Sequence, residues 1–266
     1  MKELTLQERK EISFKILCKI DEICKKNNIK YYLGYGTLIG AIRHNGFIPW
    51  DDDIDIWVKL EQYNKLIELI NKDSEYEIVN TYVDPAFPLL FTKVSDKTTF
   101  VEKIDKSKGD FKRGIAVDVF PLCNGLPKSK IKRIQFSFLQ RMNKLISLYD
   151  MGALNTKKIS DLFMNLFCKI CHILNLNSLF WRTAIMSFIE KLPESEFLMN
   201  PFSPYKQKDI HNKKCFEDIV EVTFENKKFY APARYDEVLR NIYGDYMKLP
   251  PEEKRISNHS VKAYKL

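Results

Sequence analysis

The sequence predicts a mixed α/β (α+β) fold, with a core around a mixed sheet and a mainly helical lobe. Three observations lead there. Apolar residues recur at the helical interval near the start, gather in short alternating or unbroken bursts through the first half, and return to helical spacing from Lys128 to Leu192. The 266 residues suffice for one large domain or a catalytic core with an appended lobe. Hydrophobic residues make up 45% and charged residues 29%, the balance of a folded chain rather than a disordered one. Nine glycines and eleven prolines leave no room for a low-complexity linker.

Taken in order, Thr5-Leu-Gln-Glu8 is a capping box that should open a helix. Ile12, Ile16, Ile20 and Ile23 carry it to about Asn27. Lys30–Gly34 reads as a short strand, Thr37–His44 as one or two helical turns, and Asp53–Val58 as a strand by its Asp-Ile-Asp-Ile alternation. Leu60–Lys72 is an amphipathic helix. Glu75–Tyr82, Leu89–Val94, Thr98–Glu102 and Gly114–Phe120 read as strands, the last ending at Pro121. Ile219–Phe224 and Lys228–Ala231 read as a hairpin across Glu225-Asn226, and a helix over Ala233–Tyr243 should stop at Gly244. The expected division is a core over 1–125, a helical lobe over 126–195, and a return segment over 196–266 that completes the core.

The informative passage lies between Tyr31 and Val58. Four of the five residues from Asp51 to Asp55 are aspartates, and carboxylates so close repel unless cations or donors offset them. Alternate residues on a strand share a face, so Asp53 and Asp55 point one way while Ile54 and Ile56 enter a core. An Asp-X-Asp pair so placed can grip a hard divalent cation through oxygen. A bare Asp-X-Asp is more often an exposed acidic turn; the apolar strand and the glycine-rich passage upstream argue for the site. Asp118 interrupts the apolar run GIAVDVF, and a third carboxylate aimed at the same cation would explain it. The alternative is a salt bridge to a cation such as Arg113. Asp51 and Asp52 are secondary candidates for the metal, orienting the other acids or holding a second ion. Gly36 and Thr37, between strand and helix, can present N–H groups to a phosphate.

GTLIGAIRHNGFIPWDDDIDI resembles the LicD family, which is similar to the fukutin-related proteins of animals. FTKVSDKTT (Phe91–Thr99), VDVFPL (Val117–Leu122) and YGDYMKLPPEEKR (Tyr243–Arg255) extend the resemblance from about Glu22 to Arg255. It implies a nucleotidyltransferase-type core and transfer of a phosphoalcohol from a CDP-activated donor to a sugar hydroxyl. The favoured reading is phosphocholine from CDP-choline to a glycan or lipid-linked glycan acceptor of teichoic acid, lipopolysaccharide or capsule. CDP-ribitol and CDP-glycerol are the alternative donors. The family pattern maps to Gly36-Thr37, Asp53, Asp55 and Asp118, with magnesium (or manganese) as cofactor; Asp118 is either a ligand or the general base. The zinc element of the animal relatives has no four-ligand counterpart here.

Arg43, Lys93 and Lys97 are candidates for the diphosphate, and His44 for donor or acceptor. A choline headgroup favours aromatic faces. Trp50, beside the aspartates, is the first candidate, with Tyr31, Tyr35, Trp57, Tyr243 and Tyr246 behind it. Tyr243 and Tyr246 also lie in the closing family motif, where the plainer reading is that they dock the last helix.

The formal net charge of +8 suits an anionic partner, although a basic proteome would give the same figure. A non-catalytic nucleic-acid-binding module is the rival from another class; clustered aspartates would repel phosphate and argue against it. The N-terminus lacks a secretory pattern and no run is long enough to span a bilayer, so a cytoplasmic protein is expected. The helical lobe reads as ordinary packing or a dimer face before it reads as a peripheral surface at the inner face of the membrane. Cys168-Lys-Ile-Cys171-His172 spells a haem-attachment pattern inside a helical stretch, where packing is the better account. All six cysteines are expected to be free thiols.

Overall fold

A computed structural model describes residues 1–73, 75–84, 87, 89–103, 113–126, 129–150, 159–255 and 261–266. The chain opens with β1 (Lys2–Glu3), α1 (Leu6–Lys26), β2 (Tyr31–Leu33), α2 (Tyr35–His44), β3 (Ile54–Lys59) and α3 (Leu60–Asn71). β4 (Tyr76–Val79), β5 (Thr92–Asp96), β6 (Thr99–Lys103) and β7 (Ala116–Asn124) follow. Three helices come next, α4 (Lys130–Asp150), α5 (Ile159–Ile173) and α6 (Ser178–Glu190). β8 (Phe197–Met199), β9 (Ile210–Asn212), the hairpin β10 (Ile219–Phe224) and β11 (Lys227–Pro232), α7 (Tyr235–Tyr243) and β12 (Val261–Lys265) complete it.

The main sheet has the order β2-β3-β7-β5-β4, extended by β8 on β7 and β9 on β8. β3 and β7 run parallel; the other neighbours are antiparallel. One face carries Ile54, Ile56, Val94, Val117 and Val119, all buried in the cluster that includes Ile16, Leu17 and Ile20 of α1 and Leu66 of α3. Each such aliphatic side chain contributes about 2 kcal/mol on burial. Tyr63 of α3 donates to Thr92 Oγ1 at 2.8 Å and to the Val119 carbonyl at 3.2 Å, which fixes that helix on this face. The opposite face carries Asp55 and Asp118 and is partly roofed by α2, α7 and the return segment.

The Thr5 capping box forms as expected, its hydroxyl accepting from Glu8 N–H and the Glu8 carboxylate accepting from Thr5 N–H. Several expected boundaries shift: β3 begins at Ile54, which leaves Asp53 just ahead of the strand, β4 ends at Val79 instead of Tyr82, and β5 runs from Thr92 to Asp96 instead of Leu89 to Val94. α2 begins at Tyr35, two residues early, because the extended Gly34 serves as N-cap and its carbonyl accepts from Leu38 N–H at 2.9 Å, although Tyr35 itself takes a positive φ of 42°. β7 continues through Pro121 rather than ending there. β5 pairs it only as far as Val119 and β8 joins only at Cys123, so no strand on that side needs the missing N–H. β1, β6 and β12 form a separate three-stranded sheet, in which neither β1 nor β12 was foreseen. α4, α5 and α6 pack together, burying Cys168 and Cys171 against Met142, Ile146 and Trp181. All six cysteines are free.

Candidate active site

Asp55 on β3 stands in register with Asp118 on β7, and Lys93 on β5 stands in register with Asp118 from the other side. Residues in register on adjacent strands project from the same face. The Lys93 ammonium donates to both carboxylate oxygens of Asp118, to Oδ2 at 2.5 Å. Burial pushes the Asp55 carboxyl well above the usual range, and Asp118 and Asp53 push it further against the pull of Lys93. The Asp118 carboxyl is raised too: burial, with Asp53, outweighs the cations Lys93 and Arg113. Asp53, Asp55 and Asp118 therefore share one electrostatic neighbourhood. The salt bridge weighed for Asp118 exists, with Lys93 as its close partner.

The turn before β3 is fastened to α1. Asp52 is buried in an ion pair with Arg9 at 2.6 Å, and Lys10 donates to the carbonyls of Ile48 and Pro49 at 3.2 and 3.0 Å. Asp51 Oδ1 accepts from Asp52 N–H at 3.1 Å, while its Oδ2 lies 3.1 Å from where a Cβ on Gly36 would stand. A side chain at 36 would thus crowd that carboxylate. The Thr37 hydroxyl accepts from Asp55 N–H at 2.8 Å, tying the first turn of α2 to the acid-bearing strand.

The other sequence candidates are spread around this centre. Arg43 donates to the Tyr246 carbonyl at 2.6 Å and, from Nε, to His44 Nε2 at 3.0 Å, so its guanidinium fastens α2 to the closing segment. His44 has its proton affinity lowered by burial and by Arg43. The half-buried Trp50 ring has the Arg255 guanidinium 5.9 Å from its centroid. Lys97 lies in the exposed turn after β5, four residues beyond Lys93. Tyr246 is buried and donates to Asp236 at 2.8 Å, which docks α7. Tyr243 is different. Burial raises its phenol above the ordinary range, with Tyr205 and then the charge of Asp55 adding to it, so it lies within the electrostatic reach of that acid. Tyr31, Tyr35 and Trp57 are core residues.

A family model described as LicD/FKTN/FKRP, nucleotidyltransferase domain, matches residues 28–143, the stretch that holds Asp51, Asp52, Asp53, Asp55 and Asp118. Along the whole length, the chain is 30% identical to the lipopolysaccharide cholinephosphotransferase LicD of Haemophilus influenzae. That alignment of 285 positions covers 99% of each protein. The chain belongs to the LicD family of phosphotransferases. Two uncharacterized Rickettsia proteins share shorter stretches. That of Rickettsia typhi is 44% identical over 62 residues, 23% of this chain and 20% of its own, and that of Rickettsia prowazekii 38% over 71 residues, 26% and 27%.

Among the described residues, no group of three or more His, Cys, Asp and Glu side chains is arranged to hold an ion as it stands. The chemistry of the acids nonetheless fits a hard divalent cation: the donors are all carboxylate oxygens, and their proton affinity is raised by burial first and by one another second, both of which a cation would offset. Sequence reasoning missed what lies behind this LicD motif. Tyr35 donates to Asp209 and accepts from Asn200 Nδ2 at 2.7 Å, while Asp209 bonds His211 at 2.8 Å, all of them buried. This network anchors the start of α2 to the return segment. The sequence offered one faint signal, an acid and a histidine alternating in KDIHN. Phe91 and Phe120, with centroids 4.3 Å apart, were passed over although both lie inside quoted family motifs.

Proposed function

We propose that this LicD-family chain transfers phosphocholine from CDP-choline to a sugar hydroxyl of a cell-surface glycan precursor, with magnesium or manganese as cofactor. The single observation that carries the reading is the alignment of Asp55 with Asp118 on adjacent parallel strands, within the field of Asp53. The acceptor oxygen forms a bond to the phosphorus that bears choline. The bond from that phosphorus to the oxygen of CMP breaks, CMP leaves with the electron pair, and the hydroxyl proton passes to a base.

Asp53, Asp55 and Asp118 are the residues to hold the cation, which supplies neutralisation of charge on the diphosphate oxygens and on departing CMP. Lys93 places an ammonium beside Asp118, ready to meet an oxygen of the transferring phosphoryl group. Asp118 keeps a raised proton affinity despite that lysine, which suits it to receive the acceptor proton as well as to share in ligation. Phe120 follows Asp118 by two positions on the same face and meets Phe91; Tyr243, within the field of Asp55, meets Tyr205 at a centroid distance of 5.1 Å. Aromatic faces bordering the acids suit a quaternary ammonium better than a polyol. The relative named lipopolysaccharide cholinephosphotransferase supports the same donor group and a lipopolysaccharide acceptor.

The test is CMP release by purified protein with magnesium, a candidate glycan and CDP-choline, CDP-ribitol or CDP-glycerol in parallel. Release confined to CDP-choline, and abolished in Asp55→Asn, is expected. Turnover of a polyol donor in preference to choline overturns the donor assignment, and wild-type rates in Asp55→Asn overturn the site.

A further inference from the structure

The net charge of the protein resides almost wholly in one place. Residues 128–189 hold ten lysines and arginines against two acids, a net of +8, whereas the whole chain holds 43 against 35. The remaining residues are electrically balanced. Of the ten cations, Arg182 is buried, while Lys130, Lys132, Arg141, Lys144 and Lys169 are exposed.

The same lobe presents apolar surface outward. On α5, Phe163, Leu166, Phe167, Ile170 and Ile173 recur at intervals of three and four, which puts them on one stripe, and these five, with Leu174 just past the helix end, are all exposed. Phe163 is 69% and Ile173 79% exposed. The helix turns its other side inward, burying Cys168 and Cys171 against α4 and Trp181. It is therefore seated on the protein through its smaller residues and displays its larger ones. Exposed Phe138 of α4 and Phe180 of α6 flank the same Trp181 ring, at centroid distances of 5.9 and 5.2 Å. No helix among the described residues is long and apolar enough to cross a membrane.

We infer that the outward stripe of α5 docks on the surface of an anionic lipid bilayer, lying in the interface while the net positive charge of its lobe draws it to the headgroups. An apolar stripe carried on a cationic lobe suits an interfacial helix, since burial of the first and attraction of the second add. Charge decides between occupants. A second copy of this chain would bring two lobes of +8 together, whereas an anionic membrane complements them. A nucleic acid would satisfy the lysines and leave the phenylalanines in water. The inner side of the lobe is packed core, as its helical spacing suggested, while its outer side is exposed.

The experiment is co-sedimentation of the full chain with vesicles of phosphatidylglycerol mixed into phosphatidylcholine, and with pure phosphatidylcholine vesicles, at low and high salt. Binding to the anionic vesicles that weakens with salt is expected. F163S/F167S should lower the partition about tenfold or more, and K132E/K144E should lower it on anionic vesicles only. Circular dichroism and CMP release on a soluble acceptor should match wild type in both. The first reading needs no variant: wild-type protein that stays in the supernatant overturns the proposal. So does binding that duplex DNA abolishes while F163S/F167S leaves it unchanged, which marks a polyanion site. A dimer in light scattering that F163S/F167S dissociates also overturns it, since the stripe is then a contact between copies.

Discussion

The acid-bearing sheet and the helical lobe solve opposite problems with the same kinds of residue. On the sheet, charged groups are drawn inward: Asp55 and Asp118 sit side by side, offset by Lys93, over a face packed with valine and isoleucine. On the lobe, apolar groups are pushed outward. Eleven of the nineteen exposed large apolar side chains among the described residues lie between Ile131 and Phe180. Buried charge and exposed hydrocarbon both cost stability, and a fold that maintains both concentrates them where chemistry and contact take place.

Substitutions at the two regions should separate cleanly. The largest effect is expected at the acids, where Asp55→Asn or Asp53→Asn should lower CMP release by roughly a thousandfold or more with vesicle binding intact. Next in size is a stability effect at the seam. Arg182→Ala removes a buried guanidinium that donates to Thr81 Oγ1 at 2.8 Å and the Phe87 carbonyl at 2.6 Å, and should cost about 3 kcal/mol in urea unfolding. At the rim, Tyr243→Leu should raise KM for CDP-choline about fivefold, more than Trp50→Ala does, because Tyr243 lies within the field of Asp55 while Arg255 stands over the Trp50 ring. Equal effects would blur the distinction between the two aromatics.

The smallest effect is a slope. Because Asp55 and Asp118 have raised pKa values, the folded chain keeps protons that the unfolded chain has already lost. Without divalent cation, stability should therefore fall as pH rises from about 4, the ordinary carboxylate value, through the raised values, and level off above them. Thermal melting with chelator should show that decline, magnesium should oppose it, and Asp55→Asn should flatten it. A melting temperature that rises over the same range in chelator would contradict the raised proton affinity of Asp55 and Asp118.

Much of the sheet was legible because its signals are local. The alternation around Asp53 and Asp55 marks a strand, the single acid in GIAVDVF marks its partner, and Thr5 with Glu8 marks a helix start. What escaped depends on contacts between distant segments. Nothing near Lys93 announces that it will face Asp118, and Arg43 looked like a phosphate ligand because its carbonyl partner lies 203 residues away. Asp209 and His211 matter only once Tyr35 arrives with a left-handed backbone. The outward stripe of α5 shows the limit of periodicity: the spacing gives a face but not its direction.

Arg182 has one more consequence. Its guanidinium joins α6 to the segments around Thr81 and Phe87, and Gln140 of α4 adds a bond to the Pro201 carbonyl at 3.0 Å. Swinging the three-helix unit away would strand a cation in hydrocarbon. These bonds tie the lobe to the segments flanking the sheet, so a tilt of its greasy end is felt on the side of the molecule that carries the acids.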